Sequence, residues 1–275
     1  MDIALTKFQD WHTAVAKAFT SLHSKQFPAA LIDALGKLVR IESVMVTLEY
    51  TDRAPVLLYD QGIPKSKRDL MINRYLSVGY MLDPCSLAVS GGLAEGFCLL
   101  SEVAPDNFYE SSYYKTYYLA AGSVEDCYFV VDVGENSKIS IGLYRGYYDE
   151  QSIHFTPHEI AALRAVEPMI KQLILSHWTD HVMKHTSLQQ ESNQLQISPL
   201  DTALKNFGHN KLTEREQDVA HLVLRGHSTK SAARELDISP ETVKEHRKNL
   251  YRKLEINTQA QLFTLFIDSI SKIDS

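Results

Sequence analysis

Five cations lie close together near the C-terminus: Lys244, Arg247, Lys248, Arg252 and Lys253, opposed by Glu241 and Glu245. Val243, Leu250 and Leu254, with His246 beside them, recur at helical spacing, so the cations share the outer side of one helix. The major groove of DNA, about 12 Å wide, admits such a helix, with residues near its start at base edges and flanking cations at phosphates. An ordinary solvated basic face has the same composition, so this patch alone leaves both meanings open. A second group mixes rings with carboxylates: Tyr75, Tyr80, Asp83, Tyr109, Tyr113, Tyr114, Tyr117, Glu125, Asp126 and Tyr128. Aromatic walls with one or two acids suit an amine or another cation. A tyrosine stripe can equally be core, and aspartate before proline can equally cap a helix. His177, His181 and His185 stand four apart, a spacing at which paired histidines can bind zinc. No cysteine accompanies them on that segment, and the expectation is an exposed or dimer-facing stripe and no metal.

The elements that must hold these residues follow from periodicity. Apolar residues from Ile3 to Leu22 recur at helical spacing, and Pro28 opens a second helix with Leu31, Ile32, Leu35 and Leu38 on one face. Ser43–Tyr50 (SVMVTLEY) and 55–59 (PVLLY) read as a hairpin. Residues 65–77 return to helix, and 108–121 form an aromatic helix that Gly122 stops. Strands over 127–133 and 138–145 turn through Gly134-Glu135-Asn136, and Thr156-Pro157-His158-Glu159 forms a capping box before a helix reaching about Lys184. Helices flanking a short, mostly antiparallel sheet give an α+β class, an α/β/α sandwich of the PAS or GAF kind. Residues 186–210, rich in Ser, Gln and Asn, read as a linker between a front domain (1–185) and a tail (211–275).

Composition bounds the rest. The 275 residues are 44% hydrophobic and 23% charged, enough for two globular domains. Net charge is −6, yet from His209 onward 11 Lys/Arg meet 10 Asp/Glu, so the acidity belongs to the front. Cys85, Cys98 and Cys127 have no metal or disulfide spacing, which suggests reduced thiols. With no signal-peptide core and no apolar run of about 18 residues, the expectation is a cytoplasmic protein with no membrane partner. No Gly-rich phosphate loop, GxSxG or HExxH occurs, so the chain is read as no enzyme and is assigned no cofactor.

The tail is built of start and stop signals. Thr213-Glu214-Arg215-Glu216 is a capping box whose helix ends at Gly226; Ser228 caps a short helix, and Ser239-Pro240 starts the cationic one. Leu212-Thr213-Glu214-Arg215-Glu216, Gly226, Ser239-Pro240, Thr242-Val243-Lys244, His246, Asn249 and Tyr251-Arg252-Lys253-Leu254 together resemble the LuxR-type helix-turn-helix. The resemblance implies a four-helix all-α tail that reads double-stranded DNA. Lys244, Glu245 and Lys248 would face bases; Thr242, Arg252 and Lys253 would suit phosphates. It also implies a homodimer joined through 258–267, an inverted-repeat operator, and RNA polymerase as a partner. Ser231-Ala232-Ala233 departs from the family's usual Glu-Ile-Ala, so the first helix of the motif should pack differently.

The front domain lacks the early acidic pair of a phosphorylated receiver. Tyr75, Tyr80 and Asp83-Pro84 resemble the Tyr…Tyr…Asp-Pro stretch of acyl-homoserine-lactone sensors, but the expected tryptophan is missing, since only Trp11 and Trp178 occur. Together with Phe108-Tyr109 and Tyr113-Tyr114, the stretch is closer to "solo" LuxR-type regulators that take other ligands. The expectation is a regulator sensing a non-lactone small molecule, with Tyr75, Tyr80, Asp83, Tyr109, Tyr113, Tyr114, Glu125 and Asp126 around it. A lactone receptor and an enzyme with an accessory tail are the alternatives.

Overall fold

A computed structural model describes residues 5–51, 53–77, 79–146, 154–190 and 206–271. Five antiparallel strands form one sheet in the order β2-β1-β5-β4-β3. They are β1 (Ser43–Tyr50), β2 (Val56–Gln61), β3 (Gly96–Leu99), β4 (Ser123–Gly134) and β5 (Ser137–Gly146). Alternation along each strand separates two faces. Val44, Val46 and Leu48 of β1, Phe129 and Val131 of β4, and Ile139, Ile141 and Leu143 of β5 build the outer core. It is covered by α1 (Leu5–Thr20), α2 (Phe27–Leu38) and the long α4 (Pro157–Gln190). Arg145 locks the end of this layer. Its guanidinium meets Glu159 at 2.5 Å and the carbonyls of Arg40 (2.8 Å) and His154 (3.0 Å), lying 4.0 Å over the Phe155 ring.

The inner face carries α3 (Pro84–Ser90) and two irregular helical stretches, 65–77 and 108–121, each with a wide π-type segment (Asp69–Arg74 and Tyr114–Leu119). Neither is the continuous helix expected from sequence. The second opens as a tight turn, Phe108–Glu110, and breaks at Ser111. The sandwich class holds, and β3 and α3 are additions. The exposed stripe expected over the three histidines fails at His177, which is buried in its own domain: Phe27 stacks on its ring at 4.1 Å, and His23 donates its N–H to Nδ1 at 3.0 Å. The side chains of His181 and His185, and most of the linker expected over 186–210, lie outside the described residues.

The tail consists of α5 (Glu214–Arg225), α6 (Thr229–Glu235), α7 (Pro240–Leu254) and α8 (Gln259–Ser271). The Thr213/Glu216 capping box forms reciprocally, with bonds of 2.8 and 3.3 Å, and Ser228 and Ser239 cap α6 and α7 through their hydroxyls. Gly226 ends α5 at φ +93°, a left-handed conformation that strains other residues. The small Ser231-Ala232-Ala233 run is wholly buried, and the Ser231 hydroxyl bonds His227 Nδ1 at 2.6 Å. Among the described residues no helix is long and apolar enough to cross a membrane.

Candidate ligand cavity and DNA-reading helix

Between the inner sheet face and the two irregular helices lies a cavity of about 50 Å³, lined by Met45, Leu70, Met71, Tyr75, Asp83, Tyr113, Tyr117, Tyr118, Ala121, Ser123, Asp126 and Tyr144. Asp83, at the start of α3, and Asp126, on β4, both line it. Asp83 caps α3, accepting the Ser86 N–H on Oδ1 at 3.0 Å, while Oδ2 accepts the Tyr118 hydroxyl at 2.7 Å. The cap and the cavity wall are thus the same residue. Asp126, fully buried on β4, accepts from Ser123 and, at 3.3 Å, from Tyr128. Behind them Glu49 of β1 accepts from Thr47 (2.6 Å) and Ser86 (3.0 Å), and the Ser86 hydroxyl also meets Tyr75 at 3.2 Å. Tyr144 reaches the cavity because Gly142, two residues earlier on the same face, has no Cβ; one placed there would collide with its hydroxyl.

Burial dominates the electrostatics of this interior. It pushes the Glu49 carboxyl up to about 7 and that of Asp126 up to about 8, against the pull of Thr47 and Ser123. Burial also raises Asp83, although Tyr118 and Ser86 oppose it. None of the three has a lysine or arginine partner among the described residues. The Tyr113 hydroxyl, buried on the cavity wall, has no hydrogen-bond partner among the described residues. A larger hollow beside α2 holds charges too, and all of them but Lys7 are matched: Lys37 with Asp33 at 3.0 Å, Arg40 with Glu42 at 3.2 Å, and Glu159 with Arg145.

Of the eight residues expected around a ligand, Tyr75, Asp83, Tyr113 and Asp126 line the cavity, joined by Tyr117. Four stand elsewhere. Tyr80 packs beside Glu49 and Ser86 in a separate small hollow. Glu125 precedes Asp126 on β4 and therefore faces the other way, accepting the Phe155 N–H beside His154. The break at Ser111 takes Tyr109 out of phase with Tyr113, leaving it 43% exposed, and Tyr114 packs on Phe108 and Tyr118. Tyr128 stands behind the wall as a donor to Asp126. Sequence reasoning missed Glu49, Ser86, Tyr118, Ser123 and Tyr144. The alternation Met45-Thr47-Glu49 was the available signal, but polar residues on alternate strand positions normally mean water.

On α7, Thr242, Lys244, Glu245, Lys248 and Arg252 are exposed along the outer side, while Val243 and Leu250 are buried. Lys244 leans toward Glu241 at 3.3 Å, and Arg252 reaches Asn249 at 3.1 Å. Arg247 folds back on Tyr251, Nε to hydroxyl 3.1 Å. Lys253, expected at phosphate, turns inward: its ammonium meets the buried Glu216 carboxylate at 2.6 Å and ties α7 to α5. Burial of Glu216 works against its ionisation, but Lys253 and the Thr213 donors outweigh it and hold the carboxyl below its usual range.

An exposed cationic helix on a capped four-helix tail, behind an α/β sandwich, defines a helix-turn-helix DNA-binding regulator. The comparisons give its family. The pattern for GerE, bacterial regulatory proteins of the luxR family, matches residues 210–266. An HTH-type transcriptional regulator from the exeN 3′ region of Aeromonas salmonicida is 31% identical over 190 residues, covering 68% of this chain and 94% of that protein. The chain belongs to the LuxR family of transcriptional regulators. The response regulator TodT of Pseudomonas putida is 43% identical over only 70 residues, 26% of this chain and 29% of TodT. The VqsR LBD domain of Pseudomonas aeruginosa has the same fold: TM-score 0.53, 20% identity, 62% of this chain and 96% of that one.

Proposed function

We propose that this regulator is a cytoplasmic, dimeric reader of an inverted-repeat operator, controlled by a small organic cation in the tyrosine-lined cavity. One observation carries the ligand class: two buried carboxylates, Asp83 and Asp126, line a cavity whose described lining includes no lysine or arginine. An ammonium group would pair with Asp83 and Asp126 under the tyrosine rings, and the orphaned Tyr113 hydroxyl would gain a partner. Size favours this reading over a long-chain lactone, because roughly 10–15 Å³ of such space holds one water and the whole cavity is about 50 Å³. Lys244, Glu245 and Lys248 would read bases, Thr242 and Arg252 would hold phosphates, and 258–267 would join the two copies. Bound in this way, the regulator would act on RNA polymerase at its promoters.

Selection from a random duplex pool should enrich an inverted repeat with half-sites about one helical turn apart, bound with a steep salt dependence. In parallel, primary amines of two to six carbons should raise the melting temperature, while their neutral alcohol counterparts leave it unchanged. Enrichment of no sequence, with a flat salt dependence, would contradict the DNA reading. A rise with alcohols or lactones alone would contradict the cation.

A further inference from the structure

A second hollow, of about 20 Å³, adjoins the tyrosine-lined cavity. The two share Met71, Ala121, Ser123 and Tyr144 as a common wall. Beyond it the second hollow is bounded by Glu42, Ser43, Arg145 and Gly146. The sheet aligns both spaces. Tyr144 on β5 pairs with Asp126 on β4 and with Ser43 on β1, so the three stand in one row across adjacent strands. Directly opposed residues share a face, and here it is the cavity face. Asp126 holds one end of the row and Ser43 the other, with Tyr144 between them.

The two ends differ in charge. Asp126 has no lysine or arginine partner among the described residues, whereas the ions of the second hollow are matched. Glu42 accepts the Gly146 N–H at 2.9 Å and meets Arg40 at 3.2 Å, and Arg145 meets Glu159 at 2.5 Å. Ser123 donates its hydroxyl to Asp126, and the Tyr144 hydroxyl leans back over Gly142. Ser43 therefore offers an uncharged hydroxyl to an incoming group. A second ion entering here would lose hydration and meet no unmatched counter-charge. A hydroxyl or amide would pair with Ser43 without that penalty. Met71, on the π-type segment Asp69–Arg74, stands in the passage, and its unbranched thioether can swing aside.

We infer that the ligand is two-ended: an ammonium group held by Asp83 and Asp126, and an uncharged hydrogen-bonding group held by Ser43 in the second hollow. The inference rests on the cation reading of the larger cavity. Two strand spacings put Ser43 and Asp126 about 10 Å apart, and a hydrogen bond of about 2.8 Å at each end leaves roughly 4–5 Å for the ligand. An amino alcohol of about three to five carbons spans that length.

Isothermal titration of the full chain at pH 8 compares amino alcohols, alkyl amines and α,ω-diamines of two to six carbons. An amino alcohol of intermediate length should bind wild type at least about 5-fold tighter than the amine of equal length, the gain of one net hydrogen bond. It should also bind tighter than the matching diamine. Ser43→Ala should remove the advantage, and Ser43→Thr, which keeps the hydroxyl, should retain it. The wild-type comparison needs no variant. Amino alcohols no better than amines at any length, tightest binding by a diamine, or an advantage that survives in Ser43→Ala would overturn the inference while the cation reading stands. Failure of all three series to bind would overturn both.

Discussion

Asp126→Asn should abolish the amine response and, at pH 8, raise the melting temperature of the ligand-free protein. The second effect follows from linkage. Unfolded, the Asp126 carboxyl ionises near pH 4; folded, burial holds its proton to about pH 8. Stability contributed by such a group is full below the unfolded value, declines as pH rises between the two, and levels off above the folded one. Glu49, at about 7, adds to the same decline. Asparagine removes the Asp126 part, so the variant should melt at least about 3 °C higher at pH 8, the shift produced by roughly 1 kcal/mol in a domain of this size. Glu159 and Glu216 act oppositely: Arg145 and Lys253 overcome burial and lower them, so their stabilisation disappears as pH falls below the ordinary carboxylate range. Ligand binding carries the matching signature. An ammonium group needs ionised Asp126 and must expel its proton, so affinity should strengthen up to about tenfold per pH unit between 6 and 8. A neutral ligand accepting a hydrogen bond from the protonated carboxyl would weaken over the same range. Isothermal titration at three pH values separates the two.

Lys248→Ala and Lys253→Ala should fail in different ways, although sequence reasoning assigned both to DNA. Lys248 is exposed on the groove-facing side of α7, and its loss should cost about 1–3 kcal/mol of discrimination, roughly 5- to 150-fold at the preferred operator, with little change in melting. Lys253 neutralises a buried carboxylate. Breaking a fully buried pair costs about 3–5 kcal/mol, and because Lys253 is 33% exposed, about 2 kcal/mol is expected here. Lys253→Ala should therefore melt the tail early, and Lys253→Ala with Glu216→Gln should recover much of the loss. Circular dichroism melts with anisotropy on matched and mismatched duplexes check both. Unchanged melting in Lys253→Ala would return that residue to the phosphate contacts.

These two lysines mark where sequence was informative. The starts of the tail helices were legible because capping boxes, Ser-Pro starts and the Gly226 stop are local signals that depend on no distant residue, whereas the last helix runs on to Ser271, past the expected 267. The inward turn of Lys253 was not, since its partner Glu216 lies on another helix. The cavity divides likewise. Tyr113 and Tyr117 are four apart, and Asp83 stands beside a proline, so helical spacing and a cap signal found them. Tyr109 and Tyr114 were misjudged because one unbroken helix was assumed where Ser111 breaks it. Glu125 was misjudged because adjacent strand residues face opposite ways. Glu49 reads as solvated until helices are known to cover both sheet faces, and the hydrogen bond from Ser228 to Asp106 spans separations that periodicity cannot register.

The central claim is that an organic cation in the cavity changes DNA binding. Its most direct test is anisotropy of the selected duplex with the full chain at pH 8, titrated with the two-to-six-carbon amine series, for wild type and Asp126→Asn. At least one amine should shift the wild-type affinity 5-fold or more, with no shift in Asp126→Asn. Equal shifts in both proteins, or a shift with the matching alcohols and none with the amines, would contradict the account.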